Sequence, residues 1–227
     1  MIAIIQSRIS SKRLPGKALM VLDNRPLLSH VVTRVKAAKL VTRVIVATSD
    51  SDDDDVIHLY CLENGVECFR GSLDDVAFRF AEAAIAVNTD SFVRISGDSP
   101  LIDPAIIDIA ISHYNSGNYD LVTNVQKRTF PKGQSVEVVR LATFLEMYKQ
   151  IDSAFHKQHV TAAFYESPTY KIYNFIKEGV PEPNIQLSID TKQDFDLIKK
   201  ILKKIGQDNA DCQKLIEIYR SITTSSL

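Results

Sequence analysis

Short apolar runs alternate with amphipathic ones along the first hundred residues, and this alternation restricts the fold more than any other feature. "IAIIQ" (2–6), "RVIVAT" (43–48), "VECFR" (66–70) and "SFVRIS" (91–96) are short and rich in β-branched residues, as buried strands are. Between them, residues 26–39 place Leu27, Leu28, Val31, Val32, Val35 and Ala38 at helical spacing. Residues 53–65 begin with acids and end at Gly65, residues 74–87 form another helical pattern, and Pro104 opens a further one. Strands that are apolar throughout need cover on both faces. The pattern therefore predicts an α/β fold, a mostly parallel sheet between two layers of helices.

Past residue 120 the rhythm loosens. "DLVTN", "VEVV", "YKIYNFI" and "IQLSI" read as strands, with an irregular loop at 125–135. Helices are expected over 141–151, 155–166, 192–205 and 210–222. No repeat, low-complexity linker or break in composition divides the chain. One domain over residues 1–227 is expected, with an arm around 125–180.

The 227 residues carry a net charge of -1. That balance argues against a nucleic-acid partner, which calls for a basic excess. No apolar run approaches the ~20 residues that span a bilayer, so no membrane partner is expected. Cys61, Cys68 and Cys212 show neither disulfide nor metal spacing, and a cytoplasmic location with reduced thiols is the expectation.

In an open α/β sheet the ligand binds beyond the carboxyl ends of the strands. Three segments stand there. "QSRISSKRLPGK" (6–17) gathers Arg8, Lys12, Arg13 and Lys17 around a Pro-Gly turn. It is neither a Walker loop nor a GxGxxG loop. Cations beside backbone donors suit a phosphate chain, and a solvated basic turn accounts for the same residues. "RISGDSPLIDP" (94–104) sets Asp98 in a tight turn after a strand, as a Mg²⁺ ligand or as a turn-forming acid. Asp103, before Pro104, reads as a helix cap. "LSIDTKQDF" (187–195) presents Asp190 after a strand. Either Asp190 caps the next helix, or Thr191 and Asp194 form a capping box and leave Asp190 for a metal. The run "SDSDDDD" (49–55) lacks the spacing of a calcium loop and reads as a solvated helix start.

Together these segments resemble the acylneuraminate cytidylyltransferase-like proteins, and within them the spore coat polysaccharide biosynthesis branch. Arg8, Ser11, Arg13, Leu14, Pro15, Gly16 and Lys17 match the family's first motif. "RGSLDDVAFRF", "VRISGDSPLIDP", "TFPKGQSVEV", "QHVTAAFYE" and "LSIDTKQDFDLI" follow in the family's order. The resemblance implies a Rossmann-like nucleotide-diphospho-sugar transferase fold. It also implies transfer of CMP from CTP to an acidic 2-keto-3-deoxy sugar with release of pyrophosphate. By resemblance, Arg8, Ser11, Arg13 and Lys17 would hold the triphosphate, with Arg8, Lys17 and Asp98 catalytic. Ser72, Asp75 and Arg79 would lie near the nucleotide. Asn124, Gln134, Glu137 and His159 would face the sugar, Asp98 and Asp190 would bind Mg²⁺, and the chain would form a homodimer. Lys132, Gln134 and Ser135 depart from the Pro-Asp-Gly-Leu-Asp-Val-Glu-Val often found in relatives, which bears on the identity of the sugar.

Two other functions fit the same fold: a transferase using another nucleotide and a sugar phosphate, and a nucleotide-binding module without turnover. The Arg-Leu-Pro-Gly-Lys motif argues against the first. Retention of both Asp98 and Asp190 argues against the second.

Overall fold

The computed structural model describes residues 1–206 and 210–224. Its centre is a seven-stranded sheet in the order β5-β4-β1-β6-β8-β7-β9. β1 (Ile2–Gln6), β4 (Arg43–Ser49), β5 (Glu67–Gly71) and β6 (Ser91–Ser96) run parallel. β8 (Glu137–Arg140) is antiparallel to both β6 and β7 (Leu121–Thr123), and β9 (Ile172–Asn174) runs parallel to β7. The sheet is mostly parallel and mixed, as the alternation of the first hundred residues predicts.

Alternate residues of β1 face opposite layers. Ala3 and Ile5 enter one core with α1 (Leu27–Lys36), α2 (Asp55–Glu63), α4 (Pro104–Ser116), α8 (Lys192–Ile205) and α9 (Cys212–Thr224). Ile4 joins the other, with α3 (Val76–Ala86), α5 (Leu141–Tyr148) and α7 (Ala162–Glu166), while α6 (Ala154–His159) lies against α3 without adding to that core. Helix signals in the sequence are used as read: Asp103 caps α4 through Ala105 N–H at 2.9 Å, with Pro104 in the first turn. Thr191 and Asp194 form a capping box at α8, so Asp190 is not the cap.

Two expectations need correction, and one small element has no counterpart among them. "IQLSI" does not form a strand; its one bridge pairs Gln186 with Lys132. The helix expected over 155–166 is split at Val160, whose φ of 52° ends α6. The segment 21–26 is a small hairpin, β2 (Val21–Leu22) with β3 (Arg25–Pro26), turned by Asp23 and Asn24 at φ 50° and 70°. None of the described helices is long and apolar enough to cross a membrane.

Chain order around β1 positions the site. From β1 the chain moves outward to β4 and β5, then returns to β6 on the other flank of β1. The strand order reverses between β1 and β6, so a crevice opens at their carboxyl ends. Gly97 allows the two ends to close up: a Cβ there would meet the Gln6 carbonyl oxygen at 2.5 Å.

Candidate active site

A cavity of about 470 Å³ fills that crevice. Six cationic side chains (Arg8, Lys12, Arg13, Lys17, Arg79, Arg94) and two carboxylates (Asp98, Asp190) line it, a net of four positive charges in a chain of net charge -1. Ser11 and His159 also reach it.

The basic loop is held by its own backbone and by one acid. Gly16 N–H donates to the Ile9 carbonyl at 3.0 Å, and Gly16 adopts φ 74°, a conformation that suits glycine. Ile9 N–H donates to Asp54 Oδ1 at 2.7 Å. Asp54 is 1% exposed, and its other oxygen accepts Ser49 N–H at 3.0 Å and the Ser49 hydroxyl. The acidic run is thus not a solvated helix start throughout. Its sixth residue is a buried clamp on the basic loop.

Lys17 gathers the acids. Its ammonium donates to Asp98 Oδ2 at 3.1 Å, to the Ile189 carbonyl at 2.6 Å and to Asp190 Oδ1 at 3.3 Å. A backbone bond from Ile189 N–H to the Asp98 carbonyl, 2.9 Å, ties the two acid-bearing turns together. Arg13 pairs with Asp190 from the solvent side at 2.9 Å. Two carboxylates and a carbonyl already surround one cation here. No cluster of three or more acids, histidines or cysteines that could hold a metal exists among the described residues. A two-carboxylate set suits Mg²⁺, which draws its remaining ligands from water and phosphates.

Arg79 supplies buried positive charge. It is 1% exposed; one terminal nitrogen donates to the Ser72 carbonyl at 2.8 Å, and its Nε has no partner. Burial, aided by the nearby Arg8, holds its guanidinium down at about 10. Among the described residues, Arg8 and Lys12 make no side-chain ion pair or hydrogen bond. A buried donor without a partner, as Arg79 Nε is, is costly unless an anion meets it.

Several residues expected at the site have other work. Ser72 Oγ accepts Asp75 N–H at 3.0 Å, and Asp75 caps α3 through Phe78 N–H at 2.9 Å while accepting the Tyr148 hydroxyl at 2.9 Å. Neither lines the cavity, whereas Arg79 does. Asn124 and Gln134 are fully buried and also lie off the cavity. Asn124 bridges the Gln134 carbonyl (2.7 Å) and Val136 N–H (3.0 Å). Gln134 bridges Asp103 N–H (2.8 Å) and the Leu101 carbonyl (2.7 Å). Glu137 is 2% exposed beneath Arg94, with which it forms an ion pair. Of the four sugar-facing expectations, only His159 reaches the cavity. Asn124→Ala is therefore expected to cost about 2 kcal/mol of stability, seen in urea denaturation, because it strands two buried backbone groups. Substrate KM should hold within about twofold, since the change leaves transition-state contacts intact.

A crevice at the switch point of an α/β sheet, lined by cations and two converging acids, suits a ligand that carries phosphates. The model of the cytidylyltransferase family matches residues 2–221, and the chain belongs to that family. It is 32% identical over 213 residues to the spore coat polysaccharide biosynthesis protein SpsF of Bacillus subtilis (strain 168), covering 90% of this chain and 87% of that protein. It is 43% identical over 115 residues to the 3-deoxy-manno-octulosonate cytidylyltransferase of Trichlorobacter lovleyi, covering 50% of this chain and 44% of that protein. The solved structure of a cytidylyltransferase from Leptospira borgpetersenii serovar Hardjo-bovis superposes with a TM-score of 0.93 at 29% identity, over 98% of this chain and 95% of that one.

Proposed function

We propose that this enzyme transfers CMP from CTP to the anomeric hydroxyl of an acidic 2-keto-3-deoxy sugar and releases pyrophosphate. The unneutralised charge of the cavity carries this reading. A nucleoside triphosphate brings roughly four negative charges, and the cavity lining, with Arg94 already paired to Glu137, offers a net of three positive ones. The relatives named for spore coat polysaccharide biosynthesis and for 3-deoxy-manno-octulosonate cytidylyl transfer support the acidic sugar.

In this reading Arg8, Lys12 and Arg79 meet phosphate oxygens, and Ser11 adds a hydroxyl donor at the same loop. The sugar hydroxyl attacks the α-phosphorus and loses its proton as the bond to the β-phosphate oxygen breaks. Cations aimed at the leaving oxygens stabilise the charge that grows there, so they favour the transition state over the ground state. Asp98 and Asp190 are the residues that would hold Mg²⁺. Bound there, the ion would neutralise phosphate charge and lower the pKa of the attacking hydroxyl. Lys17, held between the same acids, keeps them converged. Positioning and electrostatics then suffice, without a protein nucleophile.

The test is pyrophosphate release with Mg²⁺, using CTP, UTP, ATP and GTP against a panel of 2-keto-3-deoxy acids. Turnover is expected with CTP and at least one acid sugar. Turnover with another nucleotide and a sugar phosphate, and none with CTP, would overturn the reading.

A further inference from the structure

Arg94 is a charged residue inside an apolar strand. The register sets it directly opposite Glu137 of β8, on the face where Phe92 packs against α3. Its guanidinium is gripped on three sides. One terminal nitrogen donates to Glu137 and to Thr161 Oγ1 (3.5 Å); Nε and the other terminal nitrogen donate to Gln6 Oε1 at 3.3 and 3.0 Å. The group lies over the Phe80 ring, 5.9 Å from its centroid. The side chain still reaches the cavity, 21% exposed, whereas the Glu137 side chain behind it is 3% exposed.

Glu137 has its own supports. Its second oxygen accepts the Thr161 hydroxyl at 2.8 Å and the Tyr165 hydroxyl, and Tyr165 in turn meets Thr123 Oγ1 at 2.9 Å. Thr161 follows Val160, whose φ of 52° and ψ of -64° form a strained γ-turn closed by Thr161 N–H to the His159 carbonyl at 2.6 Å. A β-branched residue rarely adopts that conformation, and such strain gathers at functional positions. The turn sends His159 to the cavity and Thr161 to the Arg94–Glu137 pair.

We propose that Arg94 binds the carboxylate of the acceptor, and that Glu137 is the positioning residue that holds Arg94 for it. The proposal rests on the reading of the cavity as a CMP-transfer site. Its physical basis is the contrast between two kinds of cation. Arg8, Lys12 and the Nε of Arg79 carry charge with no partner and suit a triphosphate. Arg94 is already balanced by Glu137, so it attracts a polyanion less strongly. These contacts use four of its five N–H groups and leave one donor in a fixed position, which suits one oxygen of a single carboxylate. It also enters from the β6–β8 side, beside the turn that carries His159, and not from the basic loop.

The experiment is steady-state kinetics on wild type, Arg94→Met, Glu137→Gln and the double variant. The acceptor is whichever acid of the 2-keto-3-deoxy panel wild type uses best. Arg94→Met should raise acceptor KM about 10- to 100-fold, the range of a hydrogen bond to a charged group, and leave CTP KM within about threefold. Glu137→Gln should raise acceptor KM by a smaller factor. The double variant should be no worse than Arg94→Met, since Glu137 acts through Arg94. Arg94→Lys should recover part of the loss. An unchanged acceptor KM in Arg94→Met, or additive losses in the double variant, would overturn the proposal while the transfer reading stands. A wild type inactive with every acid sugar would overturn both.

Discussion

Asp98→Asn is expected to lower CTP-dependent pyrophosphate release by about 10³-fold, and Asp190→Asn by a similar factor. Both changes keep the shape of the side chain and remove one negative charge. Asp98 and Asp190 are the two acids that converge on Lys17, 3.1 and 3.3 Å from its ammonium. With one gone, the remaining carboxylate cannot complete a divalent site by itself. Fold stability should change little. The two side chains are 23% and 32% exposed, and Lys17 keeps the Ile189 carbonyl and the other acid. Pairs this open to solvent contribute about 1 kcal/mol or less. CTP binding measured by calorimetry without metal separates this role from a general loss of the site. Removing an acid makes the cavity more positive, so metal-free affinity should hold or tighten in both variants. Arg79→Met should weaken the same binding about 10- to 100-fold. Rates near wild type in both aspartate variants would sink the assignment of these acids.

Part of this site can be read in the sequence because Arg8 and Asp98 sit just after β1 and β6, whose neighbouring ends the parallel sheet brings to one crevice. Lys17 and Asp190 reach it on loops, the second tied in through Ile189 N–H to the Asp98 carbonyl. Helix caps at Asp103 and Thr191 are equally local and equally legible. Long-range partners are not. Asp54 lies in a run of acids with no period to mark one of them as buried, and its partner Ile9 is 45 residues away. Asn124 and Gln134 face the sugar by resemblance, yet their donors and acceptors are consumed by backbone groups. Lys132, Gln134 and Ser135 depart from the family pattern in a segment that the structure uses for support. Gln134 is buried, Ser135 accepts from Arg128 at 3.1 Å, and the backbone of Lys132 pairs with residues 185 and 187. Arg94 did leave a signal: a lone arginine in "SFVRIS" has to find a partner inside the sheet. The register that gives it Glu137 arises only on folding.

Asp54→Ala is expected to destabilise the fold by about 3 kcal/mol, and to lower the melting temperature by roughly 6–12 °C in a chain of this size. The carboxylate satisfies two backbone donors, Ile9 N–H at 2.7 Å and Ser49 N–H at 3.0 Å, and the Ser49 hydroxyl as well. It is 1% exposed, so water cannot replace it without opening the structure. Ser49→Ala removes the hydroxyl alone and should cost about 1 kcal/mol. The larger variant should also raise CTP KM about tenfold. Ile9 anchors both Gly16 and Ser11 through its carbonyl, at 3.0 and 2.7 Å. Loosening Ile9 therefore frees the segment that presents Arg8, Lys12 and Lys17. Ordering that segment would then fall on nucleotide binding and subtract from its affinity. The two effects are linked, so CTP at one fixed concentration should raise the melting temperature of Asp54→Ala less than that of Ser49→Ala, because the weaker binder gains less from the ligand. A melting temperature within about 2 °C of wild type, with CTP KM unchanged, would show that the basic loop holds its shape without this clamp.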